Sequence, residues 1–103
     1  MDMNKLMQQA QQMQQRMGQV QEELASKEIE AESGGGAVKV RFNGKQELLG
    51  LSIDPKVVDP EDSDLLEDLL LTAFQEGQKK SSQMAEAEMA KVTGGLGGMP
   101  GLF

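Results

Sequence analysis

From the N-terminus, Met3, Leu6, Ala10, Met13, Met17, Val20 and Leu24 fall at alternating spacings of three and four. That is a strict heptad seam, and it predicts a helix from about Asp2 to Ala25. Between the seam positions lie Gln8, Gln9, Gln11, Gln12, Gln14, Gln15, Gln19 and Gln21, good helix formers without charge, with Gly18 the one weak point. Such a helix is roughly 35 Å long at 1.5 Å per residue, whereas a compact domain of this size has a radius of gyration of about 13 Å. The helix is therefore expected to overhang its own domain or to pair with another chain.

After Ser26 the period drops to two. Glu28, Glu30 and Glu32 alternate with Ile29 and Ala31, which predicts a short strand with one charged face. Ser33-Gly34-Gly35-Gly36 breaks it. Ala37 to Phe42 alternates again, with Val38, Val40 and Phe42 on one face and Lys39 and Arg41 on the other. Asn43-Gly44 is the preferred dipeptide of a two-residue hairpin turn, so a return strand is expected from Lys45 to Ile53. Counting back across that turn sets Leu49 beside Val38, with Leu49, Leu51 and Ile53 continuing the apolar face and Gln46 and Leu48 joining Lys39 and Arg41 opposite.

Asp54-Pro55 and Asp59-Pro60 mark an exit loop, because a residue before proline is pushed out of the helical region. A second helix follows, capped either at Asp59 with Pro60 in the first position or later, at Asp62 or Ser63. Glu61, Asp62, Asp64, Glu67 and Asp68 crowd its start, where the helix dipole favours anions. Leu65, Leu66, Leu69, Leu70, Ala73, Phe74 and Gly77 make a broad apolar stripe for packing on the sheet. Beyond Gly77 the stripe thins through Met84, Ala85, Ala87, Met89, Ala90 and Val92, so this half is expected to project past the sheet. Residues 94–103 are a Gly-rich tail, expected to be flexible or docked only by Leu96, Met99 and Phe103. The reading is α+β: a single α-β-β-β-α domain over residues 1–93 with a three-stranded antiparallel sheet and two long helices.

Composition narrows the chemistry. The 103 residues include no His, Cys, Trp or Tyr, which excludes Cys/His metal sites, thiol or imidazole catalysis and disulfides. The core must come from Leu, Met, a few Val and Ile, and three Phe. No signal-peptide core and no membrane span is legible, so a cytoplasmic location without membrane contact is expected. The formal charge is −7, but residues 22–32 and 54–68 together carry −10 and the rest of the chain +3. Lys39, Arg41 and Lys45 are expected to form a small basic patch on the hairpin, and Lys5, Arg16, Lys79, Lys80 and Lys91 decorate the helices.

Three motifs look chemical and are better explained otherwise. Gly34 to Gly36 leads into a strand, whereas a phosphate loop leads into a helix start carrying Gly-Lys-Ser/Thr, so it reads as a strand connection. Lys79-Lys80-Ser81-Ser82 contains the residues of a Ser/Lys dyad, but mid-helix on an exposed stretch they read as solvated. The acidic run at 59–68 has Pro60 and no Gly, against the pattern of a calcium loop. No catalytic residue, cofactor site, metal site or small-molecule substrate is expected.

The Met/Gln heptad helix, Gly-Gly-Gly before Val38-Lys39-Val40, the Asn43-Gly44 hairpin, Leu51-Ser52-Ile53-Asp54-Pro55, Leu66-Glu67-Asp68-Leu69-Leu70 with Ala73-Phe74, and Gly94-Gly95-Leu96 with Pro100-Gly101 occur in one order. In that combination the chain resembles the YbaB/EbfC family of bacterial nucleoid-associated proteins. The resemblance implies a tweezer-like homodimer in which the sheets form a common body and helices project as arms. It also implies a cytoplasmic, nucleoid-associated location, binding to double-stranded DNA with low sequence specificity, and an influence on DNA conformation, nucleoid organisation and gene expression. It transfers no residue-level contacts; charge and exposure nominate Lys39, Arg41, Lys45, Lys5, Arg16, Lys79 and Lys80 as phosphate ligands. The sequence departs from the family after Phe74, where Gly77 is expected to loosen the helix by about 1 kcal/mol relative to Ala. The competing reading is a prefoldin-like holdase clamping apolar segments between Met-rich helices.

Overall fold

The computed structural model describes residues 2–93. Helix α1 spans Met3–Ser26, strands β1, β2 and β3 span Glu28–Ser33, Val38–Asn43 and Leu48–Ile53, and helix α2 spans Ser63–Thr93. The order α-β-β-β-α is as the periodicity predicts. Residues 94–103, expected to be a flexible tail, lie outside the described residues. With a radius of gyration of 19.7 Å and extents of 70 × 25 × 16 Å, the chain is far from the compact limit of about 13 Å. The helices make the difference.

Each helix starts on an acidic cap. The Asp2 carboxylate accepts the N–H of Asn4 at 3.0 Å, satisfying one of the orphan donors of α1. Of the two starts considered for α2, the later one forms. Asp59 is used in its own turn, accepting from Glu61 N–H at 2.9 Å, so Asp62 takes the capping place and accepts from Leu65 N–H at 3.4 Å. A short 3-10 turn over Pro55–Val57 occupies the loop before it, with Asp54 accepting from Lys56 N–H at 3.0 Å.

The sheet is antiparallel in the order β1-β2-β3. Gly34, Gly35 and Gly36 link β1 to β2 with φ of 61°, 67° and 94°, a left-handed run that side chains resist. The N–H groups of Gly36 and Ala37 close this turn on the carbonyls of Ser33 and Gly34 at 3.2 and 3.4 Å. Those donors serve the turn, in keeping with a strand connection.

The β2–β3 connection corrects the expected register. Ile53, not Leu49, faces Val38, and Leu51 faces Val40. Lys39 and Arg41 lie opposite Ser52 and Gly50, not Leu48 and Gln46, with a bulge between Arg41 and Phe42. The cause is the Asn43 side chain. Its Oδ1 accepts the N–H groups of Lys45 and Glu47 at 2.9 and 3.0 Å, drawing residues 44–47 into a longer loop with Gln46 at φ 62°. The return strand consequently begins at Leu48 rather than Lys45. The strand alternation survives the shift, so Leu51 and Ile53 keep the expected face.

Helix α2 covers the apolar face of β1 and β2. Ala31, Val38, Val40, Phe42 and Ala73 are buried, with Ile29, Leu66, Leu69, Leu70 and Phe74 packed around them. Phe42 and Phe74 meet edge to face at 6.5 Å. Leu65, placed on the packing stripe from sequence, stays exposed, because the helix rotates Ala73 and Gly77 toward the sheet. Gly77 is a close-approach residue as well as a poor helix former. A Cβ there would lie 2.4 Å from Phe42 Cε2 and 3.1 Å from Val40 Cγ2.

Past the sheet the second half of α2 runs against the C-terminal half of α1. Val20, Leu24 and Val92 are buried together, with Met13, Met84, Ala85 and Met89 around them. Lys27 Nζ reaches Glu88 Oε1 at 2.7 Å, and Lys91 Nζ reaches the same oxygen at 3.2 Å. Hydrogen bonds from Lys27 and then Lys91 hold the Glu88 carboxyl below its ordinary 4.5.

Two predictions follow from this packing. Gly77→Ala gains about 1 kcal/mol of helix propensity but overpacks the Phe42 contact, at about 1–3 kcal/mol. Urea unfolding should show net destabilisation, and a stabilised variant would disprove the close contact. For Glu88, a lowered folded pKa means that its contribution is full above the unfolded value near 4.5 and fades as pH falls through the folded one. Glu88→Gln should therefore be less stable than the native protein at pH 7, with the gap closing on acidification below about 4.5. A gap unchanged between pH 7 and pH 3 would show that the ion pair contributes nothing.

Candidate nucleic-acid interface

Both helices leave the sheet beside the β2–β3 loop, and a buried polar node holds them there. Ser81 is fully buried, which corrects its reading as a solvated helix residue. Its hydroxyl donates to the Asn43 carbonyl at 2.6 Å and accepts from Gln46 N–H at 3.0 Å. Engaged in this way, it is a structural residue and no part of a dyad. Asn43 Nδ2 donates to the Ala25 carbonyl at the end of α1, at 3.2 Å, and to Glu47 Oε1 at 2.8 Å. Gly44 N–H donates to the Leu24 carbonyl at 2.8 Å. The loop carrying Lys45 is thus tied to α1 on one side and to α2, one turn from Lys79 and Lys80, on the other.

All seven nominated cations are exposed, and they fall into two groups. Lys39 and Arg41 share the sheet face opposite α2, but the antiparallel register sets Glu32 against Lys39 and Glu30 against Arg41. Arg41 Nε also pairs with Glu28 Oε2 at 3.5 Å. The expected basic patch on the hairpin is therefore a mixed-charge face, because the charged alternation of β1 lands on the same side as that of β2. Lys80 is partnered too, its Nζ donating to the Glu30 carbonyl at 3.1 Å. Lys39 and Lys80 line one shallow depression with Glu30 and Glu32.

Lys5, Arg16, Lys45 and Lys79 form the second group, and among the described residues none of the four makes an ion pair. Lys5 and Arg16 are eleven residues apart on α1, close to three full turns, so they share a face about 16 Å apart along the axis. Residues 3–19 contain no acidic side chain.

The acidic segment 54–68 lies at the other end of the sheet. There Ser33 Oγ donates to the Leu69 carbonyl at 2.6 Å and Asp54 N–H to the Ala37 carbonyl at 2.7 Å. The molecule is consequently polar along its length, acidic where α2 starts and cationic on the α1 arm. Sequence position alone hid this, since the order of elements must be folded before the ends can be told apart. Lys27, absent from the nominated set, is a clasp residue whose partner Glu88 lies 61 positions away, beyond the reach of any local pattern.

Comparison with known proteins agrees with this architecture. A nucleoid-associated protein of Ruminiclostridium cellulolyticum is 48% identical over 99% of this chain and 89% of its own length. One from Acetivibrio thermocellus is 50% identical over 99% of this chain and 90% of its own. One from Chloroflexus aggregans is 50% identical over 96% and 99%. The crystal structure of an uncharacterized Helicobacter pylori protein superposes with a TM-score of 0.77 at 30% identity, covering 84% of this chain and 91% of that one. The model of the YbaB/EbfC DNA-binding family matches residues 1–96, and the chain belongs to that family.

Proposed function

We propose that the protein is a nucleoid-associated DNA-binding protein that holds duplex DNA as a homodimer, with little sequence preference. Family membership carries this reading, and it favours DNA over the prefoldin-like alternative. The charge polarity says how. The cationic arm and the Lys45 loop meet phosphates, while the acidic end points away. Lys5, Arg16, Lys45 and Lys79 are the principal ligands, and Lys39, Arg41 and Lys80 contribute less because each already has a partner or an opposed glutamate. Contacts of this kind position a protein on the duplex without reading bases. Binding of this kind, at the nucleoid, would influence DNA conformation, nucleoid organisation and gene expression.

What α2 leaves uncovered supports the homodimer reading. It packs on β1 and β2, so Leu48, Leu49 and Leu51 on the outer strand β3 remain 46%, 41% and 48% exposed. An edge strand with open backbone groups and apolar side chains is a ready template for a second copy. The β1 edge is less open, being met by Lys80 and lined by glutamates. A dimer also doubles the cationic arms in one particle.

Mobility-shift titrations on duplex DNA should show affinity falling with salt at a log-log slope of about −0.9 per phosphate neutralised. Lys5→Ala/Arg16→Ala should flatten that slope more than Lys39→Ala/Arg41→Ala; the reverse order would overturn the arm assignment, and no shift at low salt would overturn DNA binding itself. Light scattering at micromolar concentration should give twice the 11.2 kDa chain mass, and Leu51→Glu should lower it. A native mass of one chain would remove the β3 interface.

A further inference from the structure

We propose that the uncovered apolar face of the α1 arm docks the acidic start of helix α2 in a second copy of this chain. Within α1, Val20 and Leu24 are buried against α2 and Met13 is partly covered. Met3 and Met7 remain 72% and 58% exposed, and Leu6, Ala10 and Met17 are exposed with them. Lys5 and Arg16 each precede a residue of that face, Leu6 and Met17, so at about 100° per residue both cations border it on the same side. The face is therefore apolar with a one-sided cationic edge.

The start of α2 is its complement. Asp64, Asp68 and Leu71 are exposed at i, i+4 and i+7, on one side of the helix, and that side points away from the sheet because Leu66 and Ala73 face it. Leu71 is 57% exposed. Among the described residues neither Asp64 nor Asp68 makes an ion pair, so their charge is not neutralised within the chain. Asp64 to Leu71 rises about 10.5 Å, the same as Met3 to Ala10. Charge decides the occupant. An arm laid on another arm would set Lys5 and Arg16 against like charges, whereas the start of α2 sets carboxylates against them and Leu71 against the apolar face. One chain cannot make this contact with itself, because the arm tip and the acidic end lie at opposite ends of a molecule 70 Å long. The contact is heterologous, so it adds copies to the two-fold β3 dimer instead of repeating it. Off DNA, the acidic end of one copy covers the arm cations of the next.

The test is analytical ultracentrifugation of the full chain without DNA, at about 0.01 M and about 1 M salt, where charges are felt over about 30 Å and about 3 Å. Species larger than the dimer are expected at low salt and lost at high salt. Lys5→Glu/Arg16→Glu and Asp64→Lys/Asp68→Lys, the second of which spares the Asp62 cap, should each weaken this association by roughly tenfold or more. An equimolar mixture of the two should regain it, because the reversed arm of one meets the reversed end of the other, and that recovery also shows both variants to be folded. On a Leu51→Glu background the same pattern should appear starting from single chains, so the result does not depend on the β3 dimer. Leu6→Ser/Met7→Ser should weaken the association as well. No larger species at low salt, a mixture that associates no better than its parts, or association untouched by Leu6→Ser/Met7→Ser would each overturn the proposal.

Discussion

The direction of both arms is set by one buried polar node at the β2–β3 loop. Asn43 uses its carbonyl, Oδ1 and Nδ2 to hold Ser81 on α2, the loop N–H groups of Lys45 and Glu47, and the Ala25 carbonyl of α1. Among the described residues no buried side-chain nitrogen or oxygen lacks a partner. That completeness matters, since a buried polar group left unpaired costs about 1–3 kcal/mol. Because every member bonds to an element from a different part of the chain, the node acts as a geometric constraint. A small shift of α1, α2 or the loop would orphan at least one group.

The rest of the architecture follows from fixing the arms at one end of a small sheet. A helix that must both cover the sheet and project beyond it cannot lie across all three strands. Helix α2 crosses β1 and β2, where Ala73 and Gly77 let it approach, and leaves β3 open. The same projection takes α1 past the end of its own core, so that only Val20, Leu24 and part of Met13 find cover. A 103-residue chain has little core to spare, and here two apolar surfaces are left uncovered within the described residues. An elongated molecule of this kind gains most from further burial of those surfaces.

The elements themselves were legible because hydrophobic spacing is a local signal: the heptads of residues 3–24, the alternation of 28–32 and 37–42, and the stripe of 66–74 each report one buried face. What could not be read locally is where side chains replace backbone in a turn. Asn43-Gly44 has the composition of a two-residue hairpin, yet the Asn43 side chain captures two loop N–H groups and moves the register by four residues relative to the expected pairing. Gly77 and Ser81 likewise look like a helix defect and a solvated hydroxyl until Phe42 and Asn43 are placed against them. The site suffered most. Lys39 and Arg41 read as a patch because the alternation of β2 was considered alone, and only the pairing with β1 reveals the glutamates beside them.

That pairing also changes what the net charge of −7 means. A polyanion is repelled by the charge it can sense, and at physiological ionic strength the field of an exposed charge decays over about 8 Å. The acidic segment 54–68 is separated from the β2–β3 loop by the length of the strands, and six residues of strand span about 20 Å. More than two screening lengths therefore lie between that segment and the end where the arms emerge, before the arms themselves add distance. Glu28, Glu30 and Glu32 are closer, but they stand beside Lys39 and Arg41 and largely cancel them. On the arm itself, residues 3–19 carry Lys5 and Arg16 and no acidic side chain. An acidic protein can hold DNA at one end because the other end is electrostatically out of range.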